Sequence, residues 1–459
     1  MKIVVAILIF GIIVLIHEFG HFILAKLNGI TVVDFSIGMG PRLCGFRAFG
    51  TQFSVRLLPI GGACMMLGED LSLEETVEDS KSAGAPGHAE RSEKVVIKTE
   101  PDEHSFFAKG VWQRIAVLFA GPGFNFILAF VLSLFVIGIA GFDPAKIVAV
   151  APNGPAALAG LQKDDEILKI NRTKVVLGRE VDSYFEFNRL TEKPVTLVVR
   201  RNGEKLTTEV IPEKYNKYML GFSYSGTDSQ QAQILEVVAD YPMAKAVLLA
   251  EDVIVAMNGT EIKNSGDLKA YFNQHPLTDA PITLRFLRDG KEQETVITPK
   301  FVSSGYTLGL EYNLAREKTS ALGTIRYSAR EVYYWISETA RSLGKLITGK
   351  LKSNEIGSVV AVVDAVGQTY EASIEYGVMD TVLNMLYITI LLSANIGVMN
   401  LLPIPGLDGG KLLFCAIEVV RGKPVDREKE GIVTFVGMVL LMLLMVFLIF
   451  NDIRNIFFK

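Results

Sequence analysis

The sequence predicts a polytopic α-helical membrane protein with four spans and two tandem α/β domains on the outer side. Four long apolar runs predict the spans, and an internal repeat between the second and third runs predicts the paired domains. The 459-residue chain has a mean hydropathy of +0.33 although 21% of its residues are charged. Apolar and charged residues must therefore occupy separate stretches of the chain.

Each apolar run comes near the roughly 20 residues that a helix needs to cross a bilayer. The predicted spans are residues 1–27, 110–141, 380–410 and 431–455.

The orientation of the spans follows from basic residues at their ends, because cytoplasmic flanks favour Lys and Arg. Arg42, Arg47 and Arg56 lie between spans one and two, and Arg421 and Lys423 lie between spans three and four. Both loops are therefore predicted to be cytoplasmic, with both termini and the long segment between spans two and three outside.

Two stretches beside the spans have distinctive compositions. Residues 68–105 are polar and acidic with little apolar periodicity, which predicts a flexible cytoplasmic insertion. Residues 318–376 begin with an aromatic-bearing amphipathic stretch. It is interpreted as an interfacial segment along the outer membrane surface, with an ordinary packed helix as the alternative.

The long outer segment contains a repeat at an offset of about 87 residues. "ILKINRT" at Ile167 recurs as "IVAMNGT" at Ile254, and "YMLGFSY" at Tyr218 recurs as "YTLGLEY" at Tyr306. Two copies of one module, residues 143–226 and 229–313, explain the pattern.

The first copy contains "APNGPAALAGLQKDDEILKINRTKV", which resembles bacterial PDZ domains. Because the "LGF" and "LGL" strands come last, the order of elements is similar to the circularly permuted PDZ variant. The second copy has Val247 where the first has Gly160. PDZ grooves bind extended peptides by adding a strand to a sheet edge. The alternative is a pair of spacers that bind nothing.

The motif "HEFGH" places His17, Glu18 and His21 inside the first span. Histidines four residues apart share one helical face and can bind a single ion, and Glu18 beside them can act as a base on water. Ionisable groups near a bilayer centre cost on the order of 2.5–3.5 kcal/mol each, so a structural role for both histidines is less economical than a functional one.

A catalytic zinc needs a third protein ligand, and the third span offers one at matching depth. Asp408 follows the third apolar run in "NLLPIPGLDGGKL", where Pro403 and Pro405 break the helix. Irregular backbone at membrane depth is tolerated where it lines a cavity. The alternative interpretation is a helix end followed by a cytoplasmic turn.

These motifs together resemble the site-2 protease family of intramembrane zinc metalloproteases. "HEFGH", "FAGPGFNFILAF" and "NLLPIPGLDGG" look like its three signature motifs, and the paired repeats resemble the bacterial regulator-of-sigma-E protease group. The resemblance implies one zinc ion bound by His17, His21 and Asp408, with Glu18 as the catalytic base.

The same resemblance implies contacts with the substrate. Asn400 matches a family asparagine near the active site, and residues 28–67 are similar to a membrane-associated β region that could pair with a substrate strand. The residues predicted to contact substrate are Asn400, Asn125, Pro403, Pro405, Gly61 and Gly62. One departure is Lys411, where close relatives often have His.

The implied substrates are transmembrane segments of single-span proteins, such as an anti-sigma factor already trimmed by a first protease, and signal-peptide remnants. The implied location is the bacterial inner membrane, with the site near the cytoplasmic face and the repeats acting mainly as a size filter. A net charge of −4 gives no argument for nucleic acid, and the three cysteines show no metal-type spacing. The rival functions are a membrane-anchored PDZ scaffold and a metal transporter. The oligomeric state is not predicted.

Overall fold

The computed structural model describes residues 2–69, 103–225, 228–313, 315–349 and 359–457. The chain divides into two compact units, residues 1–142 with 316–459, and residues 143–315. Most of the predicted acidic insertion, residues 70–102, lies outside the described residues.

The first unit is built from helices and one β-hairpin. Its helices are α1 (Lys2–Leu27), α2 (Val111–Ala140), α7 (Ala321–Ile347), α8 (Val359–Ile374), α9 (Val378–Asn400), α10 (Asp408–Arg421) and α11 (Arg427–Phe457). In the described part of the chain, α1, α2, α9 and the first 22 residues of α11 are long and apolar enough to cross a membrane. Each of these helices overlaps one of the four predicted spans.

The third predicted span, residues 380–410, is not one helix. It ends at Asn400, and a loop leads to a separate helix that begins at Asp408. Pro403 and Pro405 lie in this loop, where their rings and missing N–H groups prevent the helix from continuing.

Helix α2 lies between α1 and α9. A Cβ atom on Gly20 of α1 would come 2.4 Å from the carbonyl oxygen of Ala120, so the two helices cross in close backbone contact. On its other side, the backbone carbonyl of Asn125 accepts a 2.8 Å hydrogen bond from Oγ of Ser393 in α9. These contacts set the position of α2 against the histidine-bearing helix.

Helix α7 covers residues 321–347 of the predicted interfacial segment. Its Val332 and Trp335 pack with Val136 of α2 and Ile390 of α9 in one apolar cluster. The packing favours the packed-helix alternative for this part of the segment.

The region predicted to be β, residues 28–67, forms an antiparallel hairpin of β1 (Val32–Ala48) and β2 (Thr51–Met66). At its base, Phe35 and Phe53 pack edge-on or tilted against each other and against Phe22 of α1. Toward its tip, large apolar side chains such as Phe46 and Phe49 are exposed.

The second unit contains fourteen described strands and four short helices. They are β3 (Lys146–Val150), α3 (Pro155–Leu158), β4 (Glu166–Ile170), β5 (Thr173–Lys174), α4 (Arg179–Phe187), β6 (Val195–Arg201), β7 (Glu204–Val210), β8 (Glu213–Met219), β9 (Phe222–Tyr224), β10 (Ile234–Val237), α5 (Pro242–Lys245), β11 (Val253–Met257), β12 (Thr260–Glu261), α6 (Ser265–Gln274), β13 (Ile282–Arg288), β14 (Lys291–Ile297), β15 (Lys300–Thr307) and β16 (Leu310–Asn313). The order of elements repeats, as the sequence repeat requires.

The two modules share an internal ion pair as well as their element order. In the first module, Arg201 donates to both carboxylate oxygens of the buried Asp165 at 2.7 Å. In the second, Arg288 makes the same forked contact with Asp252 at 2.8 and 2.5 Å. The pairs are equivalent positions of the repeat, so both copies are built on one framework.

The modules exchange their last strands. Strand β16, which ends the second copy, pairs with β3 of the first, and Leu308 lies in the first core. Strand β9, which ends the first copy, pairs with β10 of the second, and Leu220 lies in the second core.

This exchange differs from the prediction of one domain in residues 143–226 and another in residues 229–313. Strands β8 and β15 pair with each other in antiparallel fashion and carry the chain from one module to the other. Each module is therefore completed by the strand that the sequence repeat assigns to the other.

Candidate metal centre

The histidines of α1 lie one helical turn apart and turn the same ring nitrogen toward each other. Nε2 of His17 is 3.2 Å from Nε2 of His21, and both side chains are buried. The four-residue spacing places both on one face of the helix, as the sequence predicts.

Asp408 brings a carboxylate to the same point. Its Oδ2 lies 3.1 Å from Nε2 of His17 and 3.4 Å from Nε2 of His21. Asp408 begins α10, and a Cβ on the next residue, Gly409, would come 2.1 Å from the carbonyl oxygen of Leu402. The glycine therefore allows the proline-containing loop to fold against the start of the helix that presents the carboxylate.

The donor atoms of this cluster fit a metal ion. The three residues offer one ligand atom each, all within 4.8 Å of one another. Nδ1 of His21 donates a 2.9 Å hydrogen bond to the carbonyl of Val117, which leaves the lone pair of Nε2 facing the cluster. Oδ2 of Asp408 is buried and has no hydrogen-bond partner among the described residues. Two imidazoles and a carboxylate are a ligand set of catalytic zinc sites.

Glu18 lies beside the cluster and against the hairpin. The backbone of Cys64 in β2 lies near its carboxylate. A Cβ on Gly62 would come 3.1 Å from Cγ of Glu18. One of the residues predicted to contact substrate, Gly62, thus adjoins the predicted base.

The other residues predicted to contact substrate lie in different places. Asn400 is the half-buried last residue of α9, and the loop after it holds the exposed Pro403 and the half-buried Pro405. Gly61 packs near the side chain of Met39.

Asn125 lies beside the histidines. It is 0% exposed, and its side-chain amide nitrogen lies 3.2 Å from Nδ1 of His17. Its predicted contact with substrate stays a prediction.

The family resemblance implied that Gly121, Pro122 and Asn125 of the second span lie beside the catalytic helices, and one face of α2 does border the histidines. Val117, Gly121 and Asn125 are four residues apart, and a Cβ on Gly121 would come 2.3 Å from Nε2 of His21. Their helical spacing places them together, because residues at i, i+4 and i+8 share a face.

Lys411, the departure from the family pattern, lies three residues after Asp408. Its Nζ is 2.5 Å from Oε1 of Glu69. It therefore ties the start of α10 to the segment that follows the hairpin.

The sequence profile of peptidase family M50 matches residues 5–444 of this chain. The chain belongs to peptidase family M50. The resemblance to site-2 proteases, which the sequence motifs predicted, is thereby confirmed.

Relatives match along nearly their whole length. Zinc metalloprotease RasP of Geobacillus kaustophilus is 30% identical, over 98% of this chain and 97% of its own. Regulator of sigma-W protease RasP of Bacillus subtilis is 29% identical over 98% of both chains. Regulator of sigma E protease of Salmonella typhi is 29% identical over 96% of both.

A solved structure of the HtrA3 PDZ domain bound to a phage-derived ligand matches 20% of this chain at 20% identity. Its TM-score of 0.17 is too low to carry an argument.

Proposed function

We propose that this chain is an intramembrane zinc metalloprotease in which His17, His21 and Asp408 hold one zinc ion. The observation that carries the proposal is the convergence of these three donor atoms within 4.8 Å beside Glu18. Two of them come from an apolar helix of 26 residues that is long enough to span a membrane. The names of the relatives and the membership of family M50 support the same metal and reaction.

The chemistry follows from the residues. Zinc bound there would supply a Lewis acid that acidifies water and polarises a peptide carbonyl. Glu18 accepts the proton of the attacking water and returns a proton to the leaving nitrogen. Because Gly62 of β2 packs against Glu18, this strand borders the carboxylate beside the histidines.

The decisive experiment separates metal binding from proton transfer. Purified wild-type protein is expected to contain about one zinc and to cleave a model transmembrane peptide. Glu18→Gln is expected to keep the zinc and lose about 10²–10⁴-fold in cleavage rate, because it removes the base but no ligand. Glu371→Gln is the matched control, since Glu371 is a half-exposed carboxylate paired with Lys2 at 2.7 Å. Wild-type activity in Glu18→Gln would refute the mechanism.

The β-hairpin is proposed to receive the substrate as an added strand. Its exposed apolar side chains, including Ile37, Met39 and Phe49, suit contact with lipid or with an apolar substrate segment. Gly62 lies on β2 next to Glu18, so a peptide paired with this strand would pass the base. Pro substitutions at exposed hairpin positions are expected to lower cleavage while zinc content stays constant.

The proposed substrates are single-span membrane proteins that a first protease has trimmed, of the anti-sigma-factor type, and signal-peptide remnants. The relatives named for regulation of sigma W and sigma E support this class. The proposed location is the bacterial inner membrane. Cleavage of a panel of membrane peptides with and without an outer domain would test the class.

The proposed topology places both termini and the PDZ-like modules outside, with the zinc site near the cytoplasmic face. In a variant without the three native cysteines, a cysteine at the exposed Lys423 or at Ser80 should react only from the cytoplasm. A cysteine at the exposed Asn202 or Asp289 should react only from outside. The reverse pattern would contradict the orientation.

The modules are proposed to act as a size filter that obstructs untrimmed substrates. Because the modules exchange strands, they have to be removed together. Replacing residues 146–312 with a short linker should preserve cleavage of a trimmed substrate and permit cleavage of an untrimmed one. Loss of trimmed-substrate cleavage with zinc retained would indicate recruitment instead.

A further inference from the structure

The two ring nitrogens of His17 have different neighbours. Nε2 faces Oδ2 of Asp408 at 3.1 Å, whereas Nδ1 faces the side-chain amide of Asn125 at 3.2 Å. A neutral imidazole carries its proton on one nitrogen and a lone pair on the other. If Nε2 of His17 binds zinc, as the proposed function requires, its proton must be on Nδ1, and Nδ1 needs an acceptor.

The amide of Asn125 can supply that acceptor only in one orientation. Its nitrogen is placed toward Nδ1, an arrangement in which the amide donates and the histidine proton is forced onto Nε2. Its oxygen is buried without a hydrogen-bond partner in the described part of the chain. The oxygen and nitrogen of an amide have nearly the same shape, so their assignment follows from the hydrogen-bond network.

Turning the amide by half a turn presents its oxygen to Nδ1. The hydrogen bonds of the amide itself do not choose between the orientations, because turning only exchanges which amide atom is unpaired. The role of His17 as a zinc ligand does distinguish the orientations. With the amide turned, the proton of His17 is on Nδ1, and its Nε2 keeps a free lone pair beside Nε2 of His21 and Oδ2 of Asp408.

Helix α2 also supplies a hydrogen-bond acceptor for Nδ1 of the second histidine, His21. The carbonyl of Val117, two turns before Asn125, accepts from Nδ1 of His21 at 2.9 Å. Asn125 is held in register by Ser393, which donates to its backbone carbonyl at 2.8 Å, and it is 0% exposed. One face of α2 thus carries an acceptor for each histidine, a backbone carbonyl for one and a side-chain amide for the other.

We propose that Asn125 is a positioning residue for the metal centre: its Oδ1 accepts the Nδ1–H of His17 and thereby directs the Nε2 lone pair toward zinc. The inference rests on the proposed function and deepens it. Partners of this kind orient metal-bound histidines and typically change metal affinity by about 10–100-fold when they are removed.

The test measures zinc affinity of the full-length protein in detergent by competition with a chelator. Asn125→Leu, which cannot accept a hydrogen bond, should weaken zinc binding about 10–100-fold. Asn125→Asp, which when ionised accepts but cannot donate, should bind zinc within about threefold of the wild type or more tightly. Cobalt substitution adds a spectroscopic readout, since the visible bands of Asn125→Leu should shift while those of Asn125→Asp resemble the wild type.

Ser133→Ala is the matched control. Ser133 is a buried polar residue of the same helix that donates to the carbonyl of Ala129. This change removes a buried hydrogen bond of α2 away from the histidines, so zinc affinity should stay at the wild-type value.

Three results would overturn the inference. Wild-type affinity in Asn125→Leu would show that the amide does not support the ligand. Equal weakening in Asn125→Asp and Asn125→Leu, with both folded, would show that the amide donates. Should a variant fail to fold, nitrogen NMR of the zinc-loaded wild type with labelled histidines decides, because a proton on Nδ1 of His17 supports the inference and its absence refutes it.

The outcomes also separate this inference from the proposed function. Failure of the proposed function would appear in the wild type, as protein that binds no zinc or does not cleave. Failure of the positioning role would appear in the variants, with the wild type loaded and active.

Discussion

One aspartate in each unit has a buried carboxylate oxygen, and the two have different neighbours. In the second unit, Asp165 receives two N–H groups from Arg201 and a third, at 2.9 Å, from the backbone of Gln162. In the first unit, Asp408 faces two imidazole nitrogens, and its Oδ2 has no hydrogen-bond partner within the described ranges.

The difference separates a carboxylate that serves the fold from one that serves a ligand. A buried charge is tolerated where the chain itself supplies its partners, as Arg201 does for Asp165. A carboxylate that faces two imidazole nitrogens can instead be balanced by a metal cation, which is the role proposed for Asp408. Substitutions should therefore cost function in the first unit and stability in the second.

The largest expected effect is at Asp408. Asp408→Ala should abolish both zinc binding and cleavage, because it removes one of three ligands. Zinc content and cleavage of a model peptide are measured on the same preparation. Asp380→Ala is the control, because Asp380 is an exposed carboxylate in the first turn of α9. If Asp408→Ala retained its zinc, Asp408 would not be a ligand, and the contrast between Asp408 and Asp165 would fail.

The next effect concerns the ion pair of the first module. Arg201→Leu removes the charged partner of the buried Asp165, which keeps only the backbone N–H of Gln162 among the three donors named above, and this should destabilise the module. Zinc content should not change. Amide hydrogen exchange of strands β4 and β6 in the full-length protein measures the loss.

The neighbouring arginine is a matched control for that change. Arg200 pairs with Glu166 at 2.5 Å, but its side chain is 45% exposed. An exposed pair contributes about 0–1 kcal/mol, so Arg200→Leu should have little effect. Equal effects of the two substitutions would show that burial does not decide the strength of the pair.

Acid should weaken the first module through Asp165. Burial alone would raise the pKa of Asp165, but the hydrogen bonds from Arg201 and Gln162 outweigh it and lower the pKa below its ordinary value. Such a group stabilises the fold above its unfolded pKa of about 3.9, and the stability is lost as pH falls toward the folded pKa. The protection of β4 amides from exchange, relative to the intrinsic exchange rate at each pH, should fall below about pH 4 in the wild type, and Asp165→Asn should reduce this dependence. An unchanged dependence in the variant would assign it to other groups.

The smallest effect compares the modules with each other. Gly160 and Val247 are equivalent residues, and both have positive φ, 78° and 60°. A β-branched residue is strained in this conformation, so Val247→Gly should stabilise the second module by about 1 kcal/mol. Gly160→Val should destabilise the first module by a similar amount. Local hydrogen exchange measures both, and effects of the same sign would contradict the equivalence.

The sequence predicted the four spans and the three members of the metal cluster because the signals are local. Histidine spacing on a helix is a property of five residues, and matching depth brought Asp408 to the same level. Pro403 and Pro405 signalled a break near the end of the third span, although the predicted span ran on to residue 410 and the helix ends at Asn400.

The contact of Asn125 with His17 was not predictable in the same way. It depends on how α2 is rotated against α1, which the backbone contact at Gly20 sets. The strand exchange was hidden for another reason. A repeated sequence looks the same whether its last strand returns to its own module or joins the other, and the pairing of β8 with β15 that decides this is non-local.

The exchanged strands impose an order on the folding of the newly made chain. The second module is continuous from β9 to β14 and can form as soon as that stretch has been synthesised. The first module begins earlier, yet its strand β3 lacks its partner β16 until the second module has been made. During that interval β3 is an unpaired sheet edge, the kind of surface that invites association with other chains. The module synthesised first is therefore the one that finishes last, and it is the one exposed to misassembly while the chain grows.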